Sequence, residues 1–250
     1  MRVYLTLVRR ELGMAFNSLT GYVVVAAVLF ILGFTLVDLV ETLRSGPSDA
    51  PVTELFFRTY YFWYAVLLTA PVMTMRSFAA ERTSGTYEAL MTTPVGDWQV
   101  VLSKFTGALL FFLISWMPLA LMLFVLRHVA NEPLLFVPGI IASTMLGVAL
   151  VGSLFMAIGC FASALTRSQI VAAMVTFLIG MALWVASYRP LTGLLGSGAQ
   201  ARFFEHISMI RHVTDYSRGQ VEVTHLVFYT SAVCFFLFLT HRVIESRRWK

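Results

Sequence analysis

The chain has 250 residues, of which 58% are hydrophobic and only 12% charged, and it carries a formal net charge of +5. A water-soluble domain has roughly 25% charged residues, so a surface this apolar excludes a soluble enzyme or binding module and calls for lipid as solvent. The excess of Lys and Arg is then a topology signal, not a nucleic-acid footprint. The two cysteines, Cys160 and Cys234, both lie inside apolar runs and read as small hydrophobes, and the five histidines show no metal-ligand spacing.

In chain order, residues 1–17 come first. Tyr4, Leu5, Val8, Leu12, Ala15 and Phe16 share one helical face, and Arg2, Thr6, Arg9, Arg10 and Asn17 the other. That pattern predicts a basic amphipathic helix lying in the membrane interface; a helix packed on a partner is the alternative. No small-residue cleavage site follows it. Six segments are long and apolar enough to cross a bilayer, which takes about 20 residues at 1.5 Å rise. They are residues 19–40, 56–75, 98–126, 136–165, 170–188 and 226–243. The second opens with Tyr60, Tyr61, Phe62, Trp63 and Tyr64, an aromatic cluster suited to the headgroup boundary. Pro71 and Pro118 fall within spans, where neighbouring helices can satisfy the freed carbonyls. On the fourth span Gly152, Ser153, Ala157, Gly159 and Ser163 predict close helix packing. Asp38 and Arg58 sit near span edges. Without an intramembrane ionisable group to couple transport to an ion gradient, an external energy source is implied.

Orientation follows from the basic residues. With the N-terminus inside, eleven fall on the cytoplasmic side (Arg2, Arg9, Arg10, Arg76, Arg82, Lys104, Arg167, Arg242, Arg247, Arg248, Lys250) and seven outside. This favours both termini in the cytoplasm. Two connections are long for a compact protein and therefore candidates for function: residues 76–97 on the cytoplasmic side and residues 189–224 on the outer side. One membrane domain, 1–250, accounts for the whole chain.

The cytoplasmic loop has its own punctuation. Thr83, Ser84 and Gly85 break one helix, Glu88 supports the start of another, Pro94 ends it, and Asp97 is suited to cap the third span. Glu81, Arg82 and Glu88 beside Tyr87, Leu90 and Met91 give the mixture of charge and apolar anchor that docks on a protein partner; a solvated connector is the alternative. On the outer side, the Gly-rich run with Gly193, Gly196 and Gly198 lacks a Lys and reads as a flexible bend. Phe203, His206, Ile207, Ile210 and Val213 then line one face of a short interfacial or re-entrant helix over residues 201–216, ended by Arg218 and Gly219.

The run Phe78, Ala79, Glu81, Arg82, Gly85, Thr86, Glu88, Leu90, Pro94, Val95, Asp97 and Trp98, followed by Lys104 and Phe105, resembles the signature of ABC-2-type transporter permeases. The likeness is greatest to the branch with gliding-motility and nitrous-oxide-reductase-maturation permeases. Arg9, Arg10, Glu11 and Leu12, the outer Phe203 and Ile207, Ser217 to Val221, and the terminal Arg247, Arg248, Trp249 and Lys250 fit the same pattern. Thr224 and His225 depart from it, standing where that branch often carries a carboxylate.

The resemblance implies an all-α integral membrane fold of six transmembrane helices, with an N-terminal interfacial helix, a cytoplasmic coupling helix and outer re-entrant helices, as in type V exporters. It implies a second copy or a related permease, two cytoplasmic ABC ATPase subunits that bind ATP and Mg, an auxiliary periplasmic or membrane protein, and a bacterial inner-membrane location. Glu81, Arg82, Gly85, Thr86, Glu88, Leu90 and Pro94 become the ATPase-coupling set, with Arg167, flanked by Thr166 and Ser168, as a second contact. Gly193, Gly196, Gly198, Phe203 and Ile207 become the outer lid. The chain lacks Gly-x-x-x-x-Gly-Lys-Ser/Thr and so binds no nucleotide of its own. An export permease is the expectation; a force-transmitting scaffold that moves no solute, and a secondary transporter or channel, are the competing classes.

Overall fold

In the computed structural model the described residues are 2–45, 51–85, 96–130, 137–188 and 198–248, and every regular element among them is a helix. Five helices are long and apolar enough to cross a membrane. They are α2 (Leu19–Ser45), α6 (Asp97–Ala130), α7 (Pro138–Leu165), α8 (Gln169–Tyr188) and α11 (Val223–Arg248). Shorter helices connect or flank them: α1 (Arg2–Phe16), α3 (Val52–Arg58), α4 (Tyr61–Thr74), α5 (Ala79–Thr83), α9 (Ala199–Ile207) and α10 (Met209–Ser217).

The centre of the bundle is α7. Two thirds (67%) of its apolar window is buried, against 39% or less for the other four long helices, and α3, α4, α6, α8, α10 and α11 all pack on it. The small residues of its sequence explain why. A methyl group at Gly159 would lie 2.0 Å from Thr74 Oγ1 of α4, and one at Gly152 would lie 2.1 Å from the Phe112 ring of α6. Only glycine lets these backbones and rings approach so closely, which is the small-residue packing used where lipid offers no hydrophobic drive between helices.

The expected continuous span over residues 56–75 is two helices. Thr59 adopts an extended conformation (φ −76°, ψ 118°) and its hydroxyl donates to the Phe56 carbonyl at 2.7 Å. A local bond of this kind competes with helix continuation. The remaining 14-residue α4 covers about 21 Å, so length removes it from the spanning helices. Its tethers nevertheless lie far apart. Thr53 of α3 donates to the Ser217 carbonyl at 2.6 Å, beside Tyr216, whose carbonyl accepts from Ser143 at the start of α7. At the other end the Phe78 amide donates to Ser163 near the end of α7 at 3.0 Å. Twenty residues of α7 separate these ties, about 30 Å of helix, which equals a bilayer's hydrocarbon thickness. The aromatic cluster divides accordingly: Phe62 and Trp63 are buried in the core, while Tyr60 and Tyr64 face Trp184 at 6.5 and 6.2 Å between ring centroids.

The expected helix over residues 201–216 is also two. Ser208 is extended, its Oγ accepts from the Arg211 amide at 3.4 Å, and its hydroxyl donates to the Ser187 carbonyl at 2.8 Å. Ser208 thus caps α10 and ends α9. Similarly, α6 begins one residue earlier than a cap at Asp97 would have it. The Gly96 carbonyl receives the Gln99 and Val100 amides, and Asp97 stands in the first turn, where its charge still favours the helix N-terminus.

Candidate functional site

The short helix α5 is held on both sides. On one side stands a ring of four alternating charges. Lys104 Nζ of α6 lies 3.0 Å from Glu11 Oε1 of α1 and 2.9 Å from Glu81 Oε1 of α5. Arg10 Nη2 of α1 closes the ring, 2.8 Å from Glu81 and 3.0 Å from Glu11. The Lys104 side chain is only 2% exposed, and its ammonium lies 5.3 Å from the centre of the Phe78 ring. A buried ammonium persists only with such partners. Two cations and two carboxylates balance, so the ring that joins α1, α5 and α6 carries no net charge of its own.

On the other side α7 supplies the cap that α5 lacks locally. Ser163 Oγ accepts from the Phe78 and Ala79 amides at 3.0 and 3.1 Å and donates to the Met75 carbonyl at 3.1 Å. These amides are orphan donors of a helix start, and Ser163 reaches them from another helix. Arg82 donates to the Ala164 carbonyl, placing a guanidinium on the negative C-terminal end of α7. Thr83 Oγ1 donates to the Arg167 carbonyl at 2.6 Å, and Arg76 reaches Gln169 and Thr20 at 3.3 and 3.0 Å. Gly85 then takes φ +73°, a left-handed conformation that favours glycine. Beneath the junction lies a cleft of about 280 Å³, with Glu11, Ser18, Thr20, Arg76 and Lys104 around apolar Val24, Met73 and Phe111.

Of the sequence-predicted coupling residues, Glu81, Arg82, Gly85 and Arg167 are brought together here. Glu81 and Arg82 turn toward the bundle, whereas Ser84, Gly85 and Arg167 are exposed. Thr86, Glu88, Leu90 and Pro94 lie outside the described residues. Trp98, from the same motif, stacks on His241 of α11 at 4.3 Å. Sequence reasoning missed Lys104 as a buried centre, counting it as a topology charge, and assigned Glu11 and Ser163 no contact. A lone Lys inside an apolar run, and a lone Glu on a basic helix, were the only available signals.

At the opposite end, Gly198 precedes α9, Phe203 is 61% exposed, Ile207 is half-buried, and Gly193 and Gly196 lie outside the described residues. Phe203 therefore does not join Val213 on a packed face, because the break at Ser208 rotates α9 away. Arg218 makes a bidentate pair with buried Glu54 at 3.0 and 2.7 Å, tying the end of α10 to α3. Among the described residues no group of three His, Cys, Asp or Glu side chains is placed to hold a metal ion.

This is a membrane-embedded bundle whose one end carries a short helix wired by charge and hydrogen bonds to α1, α6, α7 and the turn before α8, a form suited to transmitting displacement. A search of curated proteins finds no significant match. The family model described as ABC-2 family transporter protein matches residues 5–233, and the chain belongs to that family.

Proposed function

We propose that this chain is the permease subunit of an ABC exporter, with residues 76–97 and the turn at Thr166–Ser168 seated on a separate ATPase subunit that binds ATP and Mg. The observation that carries the reading is the wiring of α5. A push on the exposed Ser84–Gly85 tip is delivered through Glu81 and Lys104 to α1 and α6, through Ser163 and Arg82 to α7, and through Thr83 to the start of α8. A closed charge network and a buried hydrogen-bonded cap are stiff in the way a coupling element requires.

The same reading has six crossings, with α3 and α4 together forming the second, and both termini in the cytoplasm of a bacterial inner membrane. The ties of this segment to opposite ends of α7 support it, as does the excess of basic residues on the α5 side. Helices α9 and α10 form the outer re-entrant lid, and a second copy or related permease completes the pathway. The likeness of residues 78–98 and of the chain ends to gliding-motility and nitrous-oxide-reductase-maturation permeases supports that branch.

The test is a photo-crosslinking residue at Ser84 in cells expressing the chain with its neighbouring ATPase. The reading predicts an adduct with the ATPase, identified by mass spectrometry, and none from the same probe at Arg211. An ATPase adduct at Arg211 and none at Ser84 overturns both the coupling and the topology.

A further inference from the structure

We infer that His212 and His225 form an acid-released latch that holds α10, the inner half of the outer lid, against the start of α11. Their imidazole rings are 3.9 Å apart between centroids and inclined by 30°, and both side chains are buried. Two buried rings this close are compatible when neutral and repel when both carry a proton. The Nδ1 atom of His212 is buried with no hydrogen-bond partner among the described residues, and so is that of His225. A proton added at either nitrogen would therefore place a buried N–H without an acceptor.

The surroundings favour neutral His212. From α9, Arg202, Glu205 and His206 lie nearby; from α10, Arg211, Asp215 and Tyr216; from the residue before α11, Glu222; and from α11, His225 and Tyr229. Helices α7 and α8, also packed on α10, contain no Asp, Glu, Lys, Arg or His, and Glu54 of α3 is engaged by Arg218. Of the acids, two lie nearer His225, whose Nε2 is 3.5 Å from Glu222 and 3.8 Å from Asp215. Burial, then the neighbouring His225, His206 and Arg211, hold the His212 imidazole down at about 3, partly opposed by a hydrogen bond to the His206 backbone. Burial pushes the Asp215 carboxyl up, which acts in the opposite sense on acidification.

The sign for His212 is fixed by linkage. Its folded value lies below the ordinary ~6.5 it regains when α10 lifts, so the closed lid is fully favoured above pH 6.5 and loses ground as pH falls. Between pH 8 and pH 5 this one group shifts the closed-to-open ratio by about 30-fold. A lid facing an acidified outer compartment would open more often.

The outer placement rests on the proposed topology, but the latch itself does not. Hydrogen exchange of the purified full-length protein in lipid nanodiscs tests it at pH 8 and pH 5, corrected for chemical exchange rates. The α10 amides should lose protection by about 30-fold, with α7 residues 148–160 unchanged. His212→Phe, or His212→Gln where the ring variant does not fold, should abolish the loss, and Asp215→Asn should keep it. A wild-type response that is flat, or one that persists in the His212 variants, overturns the latch. Neither outcome bears on the ATPase crosslink.

Discussion

Replacing Lys104 by Met tests the charge ring most sharply. Methionine keeps an unbranched stem of similar length over Phe78 and removes only the ammonium. The two contacts at 2.9 and 3.0 Å each amount to about 5 kcal/mol of attraction at an effective dielectric of ~20, most of it offset by the desolvation of Lys104. What the variant loses is compensation: Glu11 and Glu81 are left side by side with the half-exposed Arg10, without the buried ammonium between them. Removing one partner of a buried ion pair costs about 3–5 kcal/mol. Because the two carboxylates keep some access to water, the lower end applies, about 3 kcal/mol. Reversible unfolding in mixed micelles measures it, and a double-mutant cycle with Glu81→Gln isolates the pair. The wiring predicts a coupling energy above about 1 kcal/mol and, in the complex, ATP turnover that no longer responds to the permease. A coupling below about 0.5 kcal/mol with unchanged turnover refutes the argument.

Other consequences are as direct. Ser163→Ala strips two buried amides of their acceptor and should cost about 2–4 kcal/mol, read as faster hydrogen exchange confined to residues 76–83. Gly159→Ala forces a methyl group into Thr74 and should destabilise by about 1–3 kcal/mol or block insertion, whereas Gly139→Ala, with open space around it, should be near neutral in the same unfolding assay. Cys234 is exposed on α11 and Cys160 buried in α7, so a lipid-soluble maleimide should label the first and leave the second; labelling of Cys160 in the folded protein would contradict the packing of α7. A cysteine introduced by Gln220→Cys should react with an impermeant reagent added outside intact cells, and reaction only after lysis would reverse the topology.

Much of the bundle was legible because bilayer thickness turns composition into length. The five long helices fall on apolar runs of 18 or more residues, and the small residues of α7 foretold its close packing. The divided elements were hidden because hydropathy does not register a single hydroxyl: Thr59 and Ser208 each interrupt an apolar or amphipathic run with one local bond. The junction around α5 was visible as a motif but not as a geometry. Glu81 and Arg82 look from sequence like outward docking charges, yet their partners, Lys104 and the Ala164 carbonyl, are distant in the chain. Spacing carries no information on such pairs. The His212–His225 contact was equally invisible, since a pair of rings thirteen positions apart declares itself only once α10 folds back on α11.

The proposed coupling requires that α5 be the point where an ATPase acts. Hydrogen exchange of the chain alone and in complex with its ATPase, the latter held by a non-hydrolysable ATP analogue, measures this directly. The account predicts added protection at residues 79–84 and 166–169, together with a smaller change at the Arg10, Glu11 and Lys104 segments that the charge ring connects. Protection confined to the α9–α10 end, or none at α5 in a complex shown to be assembled, would contradict it.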